Sequence, residues 1–376
     1  MVNYLYIHIP FCIAKCYYCD FYSIPVARSG AGEIKKYAEA LLDEMSLRRD
    51  IAGDLLTVYM GGGTPTLFSA AEVAAILSGA REIFSIVPGA EISIEANPGT
   101  ITDRQLAALR EAGINRISIG IQSLSGSELC TLGRSHNVED ALSAVKSARQ
   151  AGFDNISLDL IYGIPGQNMD VWLDTMSRAL ELSPEHISAY ELTPEENTIL
   201  HTRLTDGYYE LPDEELVIEM YYAAVSTMKS DGYLHYEISN FAKPGYECIH
   251  NLNYWNRGEY VGIGAGAHSF FNSRRTGNKR DVSYYLEAVK SASLPLDEEI
   301  NVTEQDVFIE MIFLGLRKTE GINLGLMAES GRLINNRAAD ELMRRGLIEI
   351  EDNHLRLTSK GLVLSSEVMV QLMAEG

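Results

Sequence analysis

A chain of 376 residues that is 46% hydrophobic and 22% charged has the composition of a globular protein of one large or two to three smaller domains, not of a disordered one. Lys and Arg number 31 against 52 Asp and Glu, and the resulting charge of −21 speaks against a general nucleic-acid or membrane-surface binder. Three of the five cysteines (Cys12, Cys16 and Cys19) fall within eight residues, which is no disulfide framework; with no basic segment before Cys12 and no membrane-length apolar run, a cytoplasmic chain is expected.

Six β-rich runs alternate with helical patterns over the first two hundred residues. Tyr4–Ile9 leads into the cysteines and a helix at 35–49. Thr57–Met60 leads into the turn Gly61–Pro65 and a helix at 70–84. Glu91–Glu95 precedes a helix at 103–112, and Arg116–Ile121 one at 138–151, where Ala141, Leu142, Val145, Ala148 and Ala151 recur at helical spacing. Asn155–Ile161, a helix at 169–182 and His186–Leu192 complete the series. Ser69 and Thr102 are expected N-caps, with Glu72 and Gln105 placed as in capping boxes, and Gly113 and Gly152 stand where helices end.

The strands read as nearly continuous apolar runs, as in a parallel sheet covered by helices. The expected fold is α/β, a partial (β/α)6 TIM-like barrel. In such folds chemistry gathers at the C-terminal ends of the strands. Cys12–Cys19, Gly61–Pro65, Glu95, Asn97, Gln122 and Asp159 all fall at such ends. Beyond residue 200 come a helix at 213–231, an extended run Tyr233–Phe241 and a glycine-rich segment Gly258–Gly266. From 301 three helices, Leu347–Glu351, a turn at Asp352–Asn353 and Leu355–Thr358 suggest a winged-helix-like C-terminal domain. It carries eight basic against twelve acidic residues, so no DNA reader is expected. The expected units are a part-barrel at 1–200, a barrel-completing segment at 201–300 and the C-terminal domain at 301–376.

The spacing C-x3-C-x2-C lets one loop present three thiolates. Structural zinc wants four ligands, and no second cysteine pair exists. Four-iron clusters are held by thiolates, usually four; three would leave one iron open. The competing reading is three incidental cysteines. This spacing after a first strand resembles the radical S-adenosylmethionine (SAM) superfamily, whose open iron chelates SAM and whose members cleave it to a 5′-deoxyadenosyl radical. Gly61-Gly62-Gly63-Thr64-Pro65-Thr66 is similar to that superfamily's loop for the SAM amino group.

The stretches YIHIPFC, CDFYS, GGGTPT, SIEANP, GIQS, LGRSH, DLIYGIPGQ and HNxxYW together resemble the oxygen-independent coproporphyrinogen III oxidase group. Within it they resemble the HemW haem-chaperone branch more than the HemN oxidases. Phe21 stands where HemN has a fourth cysteine, HemN's N-terminal extension is not expected in a chain read as opening on the first strand, and His250-Asn251-Leu252-Asn253-Tyr254-Trp255 matches the HemW motif.

The resemblance implies that Cys12, Cys16 and Cys19 hold a 4Fe-4S cluster. It implies a SAM site lined by Tyr6, Tyr18, Gly62, Gly63, Thr64, Glu95, Gln122, Arg134 and Asp159, and leaves open one SAM or two. Carboxylate and amide groups suit a ribose diol, and a guanidinium suits the SAM carboxylate; the plainer reading makes Gln122 and Arg134 a surface pair. His250 is the implied haem-iron ligand, oriented by Asn251, with Tyr254 and Trp255 as aromatic surface for the macrocycle. Cys248 competes as ligand, and a packed histidine with a Tyr-Trp core pair competes as explanation. Arg257, Arg274, Arg275 and Arg280 are candidates for the haem propionates, His268 for the SAM pocket, and Cys130 reads as a helix-packing thiol. The expected function is a haem chaperone that binds cluster, SAM and haem and passes haem to a respiratory acceptor, a transiently met membrane-associated one included. An electron donor serves the cluster, and dimerisation is left open. The alternative is a coproporphyrinogen III dehydrogenase, which decarboxylates propionates oxidatively.

Overall fold

The computed structural model describes residues 1–28, 31–329 and 334–373. Six parallel strands form the centre: β1 (Val2–Ile9), β2 (Ala52–Gly62), β3 (Ile86–Ala96), β4 (Arg116–Gln122), β5 (Ile156–Tyr162) and β6 (His186–Glu191). Helices α1 (Ala31–Leu47), α2 (Ala70–Phe84), α3 (Asp103–Ala112), α4 (Val138–Gln150) and α5 (Met169–Glu181) make the crossovers. Beyond α6 (Glu214–Ser230), both edges of this sheet are extended. An antiparallel hairpin of β7 (Leu234–Glu237) and β8 (Asn240–Ala242) adds to β6, and β9 (Val261–Ile263) adds in parallel to β1. The order is β9-β1-β2-β3-β4-β5-β6-β8-β7, a barrel left open between β9 and β7. The run Tyr233–Phe241 is therefore a hairpin, not one extended segment.

Every central strand alternates, and this corrects the continuous apolar runs expected from sequence. In β1, Leu5, Ile7 and Ile9 are buried against the helices, while the next-door Tyr6 stacks across the lumen side on Tyr59 of β2. In β4, Ile117, Ile119 and Ile121 point out, whereas Arg116, Ser118, Gly120 and Gln122 take the inward parity. The lumen is thus lined by polar and aromatic groups that find partners in one another. His186 bonds Ser157 at 2.8 Å and the Tyr236 hydroxyl at 2.7 Å, and Arg116 donates to Asn155 at 2.9 Å.

The caps follow the sequence with one exception. Ser69 and Glu72 close a reciprocal capping box on α2, and Gly113 ends α3 in the left-handed region at φ 106°. Thr102 caps α3, but the Gln105 amide reaches the Thr66 and Phe68 carbonyls at 2.7 and 3.0 Å instead of closing a box. That bond ties α3 to the end of the glycine-rich turn.

Helix α7 (Ile249–Trp255) carries the HNxxYW motif and enters the lumen beside β1 and β2. The loop before β10 (His268–Phe271) is fixed to α1 by Glu44, which is fully buried and accepts from Arg48, Gly264 N, Asn278 and the Tyr285 hydroxyl. β10 pairs with β11 (Arg274–Asn278), and β11 with β12 (Leu296–Asn301), leading past α8 (Val282–Lys290) to the C-terminal region. There the order is α9 (Glu304–Gly315), β13 (Ile322–Asn323), α10 (Leu324–Glu329), α11 (Asn336–Arg344), β14 (Ile348–Glu351) and β15 (His354–Leu357), with β15 central in its small sheet. Among the described residues no helix is long and apolar enough to cross a membrane.

Candidate functional site

The cysteine loop leaves β1 at Pro10 and is pinned at both ends. Phe11–Cys12 pairs with Ile24–Pro25, Tyr17 N donates to Leu132 O at 3.0 Å, and Leu200 N donates to Tyr17 O at 2.8 Å. Gly133, in the left-handed region at φ 68°, leaves room for the Tyr17 ring, which a Cβ would meet at 2.6 Å. The loop closes over a cavity of about 330 Å³ at the C-terminal mouth of the barrel. Of the expected site residues, Cys12, Cys16, Cys19, Tyr18, Gly62, Gly63, Glu95, Gln122, Arg134 and Asp159 all line this cavity, with Asn97 and Tyr190 besides. Tyr6 lies deeper in the lumen, its hydroxyl 2.9 Å from His8 Nδ1.

The glycine-rich turn is shaped by its own protein as much as by any ligand. A Cβ on Gly62 would lie 2.4 Å from the His8 ring, and one on Gly63 would lie 2.6 Å from Phe11 O. The N–H groups of Gly63 and Thr64 donate to Ile9 O and Phe11 O, and that of Gly62 to Glu95 Oε2 at 3.0 Å. These three donors are spent inside the protein. The Thr64 hydroxyl donates to Cys12 Sγ at 3.6 Å, so it faces the cysteine loop.

Each polar residue is held by identifiable partners. Glu95 accepts from the Tyr59 hydroxyl at 2.9 Å and, among the described residues, bonds no basic side chain; burial, with Asp159 nearby, pushes its carboxyl up to about 7. Asp159 accepts from Ser118 at 3.1 and 3.2 Å, and its carboxyl is raised chiefly by burial. Gln122 sits in the left-handed region at φ 64°, where the register of β4 on β5 breaks. A non-glycine residue there costs about 1–2 kcal/mol, and the Gln122 side chain lines the cavity. Arg134 is no surface residue: Nη1 donates to Cys16 Sγ at 3.3 Å, and Nη2 to Asn97 Oδ1 at 2.6 Å and Gly120 O at 2.7 Å. Its Nε is buried and has no hydrogen-bond partner among the described residues.

The HNxxYW motif lies elsewhere. His250 is buried, Nδ1 2.6 Å from Thr57 Oγ1 and Nε2 2.9 Å from the Tyr254 hydroxyl, with its ring stacked 5.1 Å from Tyr59. Both ring nitrogens are engaged, and burial lowers the imidazole to about 3. The structure thus places His250 as a packed histidine, oriented by Thr57 and Tyr254 rather than by Asn251, which is half-buried on the same helix. Glu91 caps α7 from the lumen, accepting from Ile249 N at 3.1 Å, His250 N at 3.2 Å and Cys248 Sγ at 3.6 Å. Tyr254 and Trp255 open onto a crevice of about 250 Å³ lined also by Arg257, Tyr260, Phe270 and Arg275. Both arginines lie over the Phe270 ring and share Glu310. His268 is exposed on β10 and does not line the mouth cavity, and Cys130 is exposed rather than packed.

Comparison with known proteins decides the family. Residues 6–179 match the profile of the Radical SAM superfamily, and residues 302–364 that of the HemN C-terminal domain. The heme chaperone HemW of Bacillus subtilis is 36% identical over 98% of this chain and 99% of its own length. The chain belongs to the HemW family of radical SAM proteins. Heme chaperone HemW of Escherichia coli is 41% identical over 70% of this chain and 69% of its own. The radical S-adenosyl methionine domain-containing protein 1, mitochondrial, of Bos taurus is 31% identical over 98% of this chain and 87% of its own. The coproporphyrinogen III oxidase HemN of Escherichia coli, 24% identical, superposes with a TM-score of 0.83 over 98% of this chain and 89% of its own, which shows a shared fold.

A radical SAM family member implies a 4Fe-4S cluster and SAM, and the residues present fit both. Among the described residues no three His, Cys, Asp or Glu side chains converge as they would on a single metal ion. A four-iron cluster asks for something wider, since each thiolate binds a different iron. Burial pushes the Cys12 and Cys19 thiols up, Cys19 to about 11, and the charge of bound iron would favour their thiolates. Thr64 and Arg134 already direct donors at two of the sulfurs. The orphaned Arg134 Nε and the two buried carboxylates supply the mixed charges that an amino-acid zwitterion and a ribose diol require.

Tyr17 was legible only as an aromatic beside the cluster. Its anchoring under Arg203, 4.1 Å over the ring, joins residues far apart in sequence. Glu91 and Thr57 were missed as partners of the HNxxYW helix. Their inward parity in alternating strands was the available signal.

Proposed function

We propose that this chain is a haem chaperone whose barrel mouth holds a 4Fe-4S cluster on Cys12, Cys16 and Cys19 and SAM beside it, and which passes haem to an acceptor protein. The observation that carries the reading is the convergence of ten of the expected residues on one cavity, in a chain whose full-length relatives bear the name heme chaperone HemW. Glu95, Gln122, Arg134 and Asp159 orient SAM; Glu95, with a carboxyl near neutrality, accepts from its amino group or ribose. When bound, the cluster supplies the electron that cleaves SAM.

Haem would be taken by the crevice beside the HNxxYW helix, where Trp255, Tyr260 and Phe270 offer apolar surface to the macrocycle and Arg257 and Arg275 offer cations for its propionates. His250 then acts through Tyr254, which it holds in the crevice wall. The acceptor is a haem-requiring respiratory protein. The alternative, coproporphyrinogen III dehydrogenation, draws on the fold shared with HemN.

One anaerobic incubation separates the two. Cluster-reconstituted protein is given SAM, a reductant and coproporphyrinogen III, and products are read by mass spectrometry. The chaperone reading expects an untouched porphyrinogen, together with a haem titration that weakens in Trp255→Ala and Arg275→Ala. Loss of two carboxyl groups from the porphyrinogen overturns it.

A further inference from the structure

Three side chains form one hydrogen-bonded chain between two of the three clustered cysteines. Thr64 Oγ1 donates to Cys12 Sγ at 3.6 Å and accepts from Asn97 Nδ2 at 2.8 Å. Asn97 Oδ1 accepts from Arg134 Nη2 at 2.6 Å, and Arg134 Nη1 donates to Cys16 Sγ at 3.3 Å. Asn97 is the middle link, and it touches neither sulfur itself.

The chemistry of a primary amide suits that place. It offers N–H donors at one end and an acceptor oxygen at the other. With Asn97 Nδ2 on the Thr64 oxygen, the threonine's own hydroxyl proton is left for Cys12. With Asn97 Oδ1 on Nη2, the planar guanidinium is fixed with Nη1 on Cys16. A carboxylate in place of the amide would keep the second bond and lose the first. Gly120 makes the room: a Cβ there would stand 3.2 Å from Asn97 Oδ1, and its carbonyl takes the second bond of Arg134 Nη2 at 2.7 Å.

We propose that Asn97 is a positioning residue for the iron–sulfur cluster, holding two hydrogen-bond donors on two of its thiolates and thereby raising its reduction potential. The inference rests on the reading of Cys12, Cys16 and Cys19 as cluster ligands. Reduction adds negative charge to the cluster and its sulfurs, and donors aimed at those sulfurs stabilise that charge. Removing the amide frees the threonine rotor and the guanidinium together, so both donors weaken at once.

The test is a redox titration followed by electron paramagnetic resonance on reconstituted protein without SAM, with iron and sulfide counted in every sample. Asn97→Leu is expected to keep its cluster and to lower the ratio of reduced to oxidised cluster about tenfold at a fixed solution potential, a shift of about 59 mV to more negative values for a one-electron couple. Thr64→Val is expected to shift it in the same direction by less. The double variant is expected to fall short of the sum, because Asn97 acts partly through Thr64. An unchanged potential in Asn97→Leu at full iron content overturns the proposal and leaves the cluster reading intact, and strictly additive shifts overturn the relay. If Asn97→Leu does not fold by circular dichroism, Asn97→Ser carries the same expectation and the same refutation. Cys→Ser variants that retain as much iron as the unaltered protein overturn the cluster reading instead.

Discussion

Truncating His250 to alanine tests whether the HNxxYW helix is seated in the barrel. The buried ring sits between Thr57 and Tyr254 and stacks on Tyr59. Removing a buried ring of this size costs about 3–5 kcal/mol, and stranding two buried hydroxyls adds about 1 kcal/mol or more. A loss of about 4–6 kcal/mol is expected for the protein without haem. With about 2.1 cal/mol/K of unfolding entropy per residue, 376 residues give about 0.8 kcal/mol/K, so the midpoint falls by about 5–8 °C if the barrel melts as one unit. Scanning calorimetry of the haem-free protein, with far-UV dichroism as a second probe, reads this directly. A fall of under about 1 °C would refute the seating of His250 and restore it as a free haem ligand. The same number warns that any loss of haem binding in His250→Ala must be measured at a temperature where the variant is folded.

Glu95 retains its proton to about pH 7 in the folded protein against an ordinary value of 4.5, so its ionisation opposes folding as pH rises through that window. The cost reaches about 3 kcal/mol above pH 7 and is absent below pH 4.5. Urea titrations of the cluster-free protein are expected to show stability falling from pH 5 to 8, with that slope reduced in Glu95→Gln; equal slopes would refute the assignment. Gly63→Ala drives a Cβ to 2.6 Å from Phe11 O and is expected to displace the cysteine loop, read as iron content below that of the unaltered protein after reconstitution. Gln122→Gly relieves the left-handed backbone at φ 64° and is expected to leave the cluster-free protein no less stable, while SAM affinity by calorimetry drops several-fold.

Much of the barrel was legible because each strand and each helix announces itself locally. The stripe at 138–151, the Ser69 box and the Gly113 stop are short-range patterns, and the structure keeps them. The alternation in YLYIHI, EISIEA and RISIGIQ is equally local but hidden in hydropathy: tyrosine and isoleucine both count as hydrophobic, yet they face opposite sides. Reading parity instead of hydropathy would have put Tyr6, Glu95 and Arg116 in one lumen. The cysteine spacing and the glycine-rich turn pointed to the mouth without help from tertiary structure. The surroundings of His250 were not legible, because Thr57 lies 193 residues away and Glu91 reaches the helix from a separate strand. A motif of His, Tyr and Trp looks the same whether its side chains wait for a ligand or fill a core.

The pairing of β1 with β9 sets the order in which this protein can be made. Leu5, Tyr6 and Ile7 find their outer neighbours only at Val261, Gly262 and Ile263. During synthesis the strand that feeds the cysteine loop keeps one open edge until more than two hundred and fifty further residues have emerged. Contacts so distant in sequence slow folding and prolong the time in which an unpaired edge is exposed to other chains. The last barrel strand and the Glu44 clasp, which ties Gly264 and Asn278 back to α1, close that edge together. Expression yield is therefore expected to depend on this late seam more than on the cysteine loop, and slower translation before residue 261 offers time for aggregation, not for maturation.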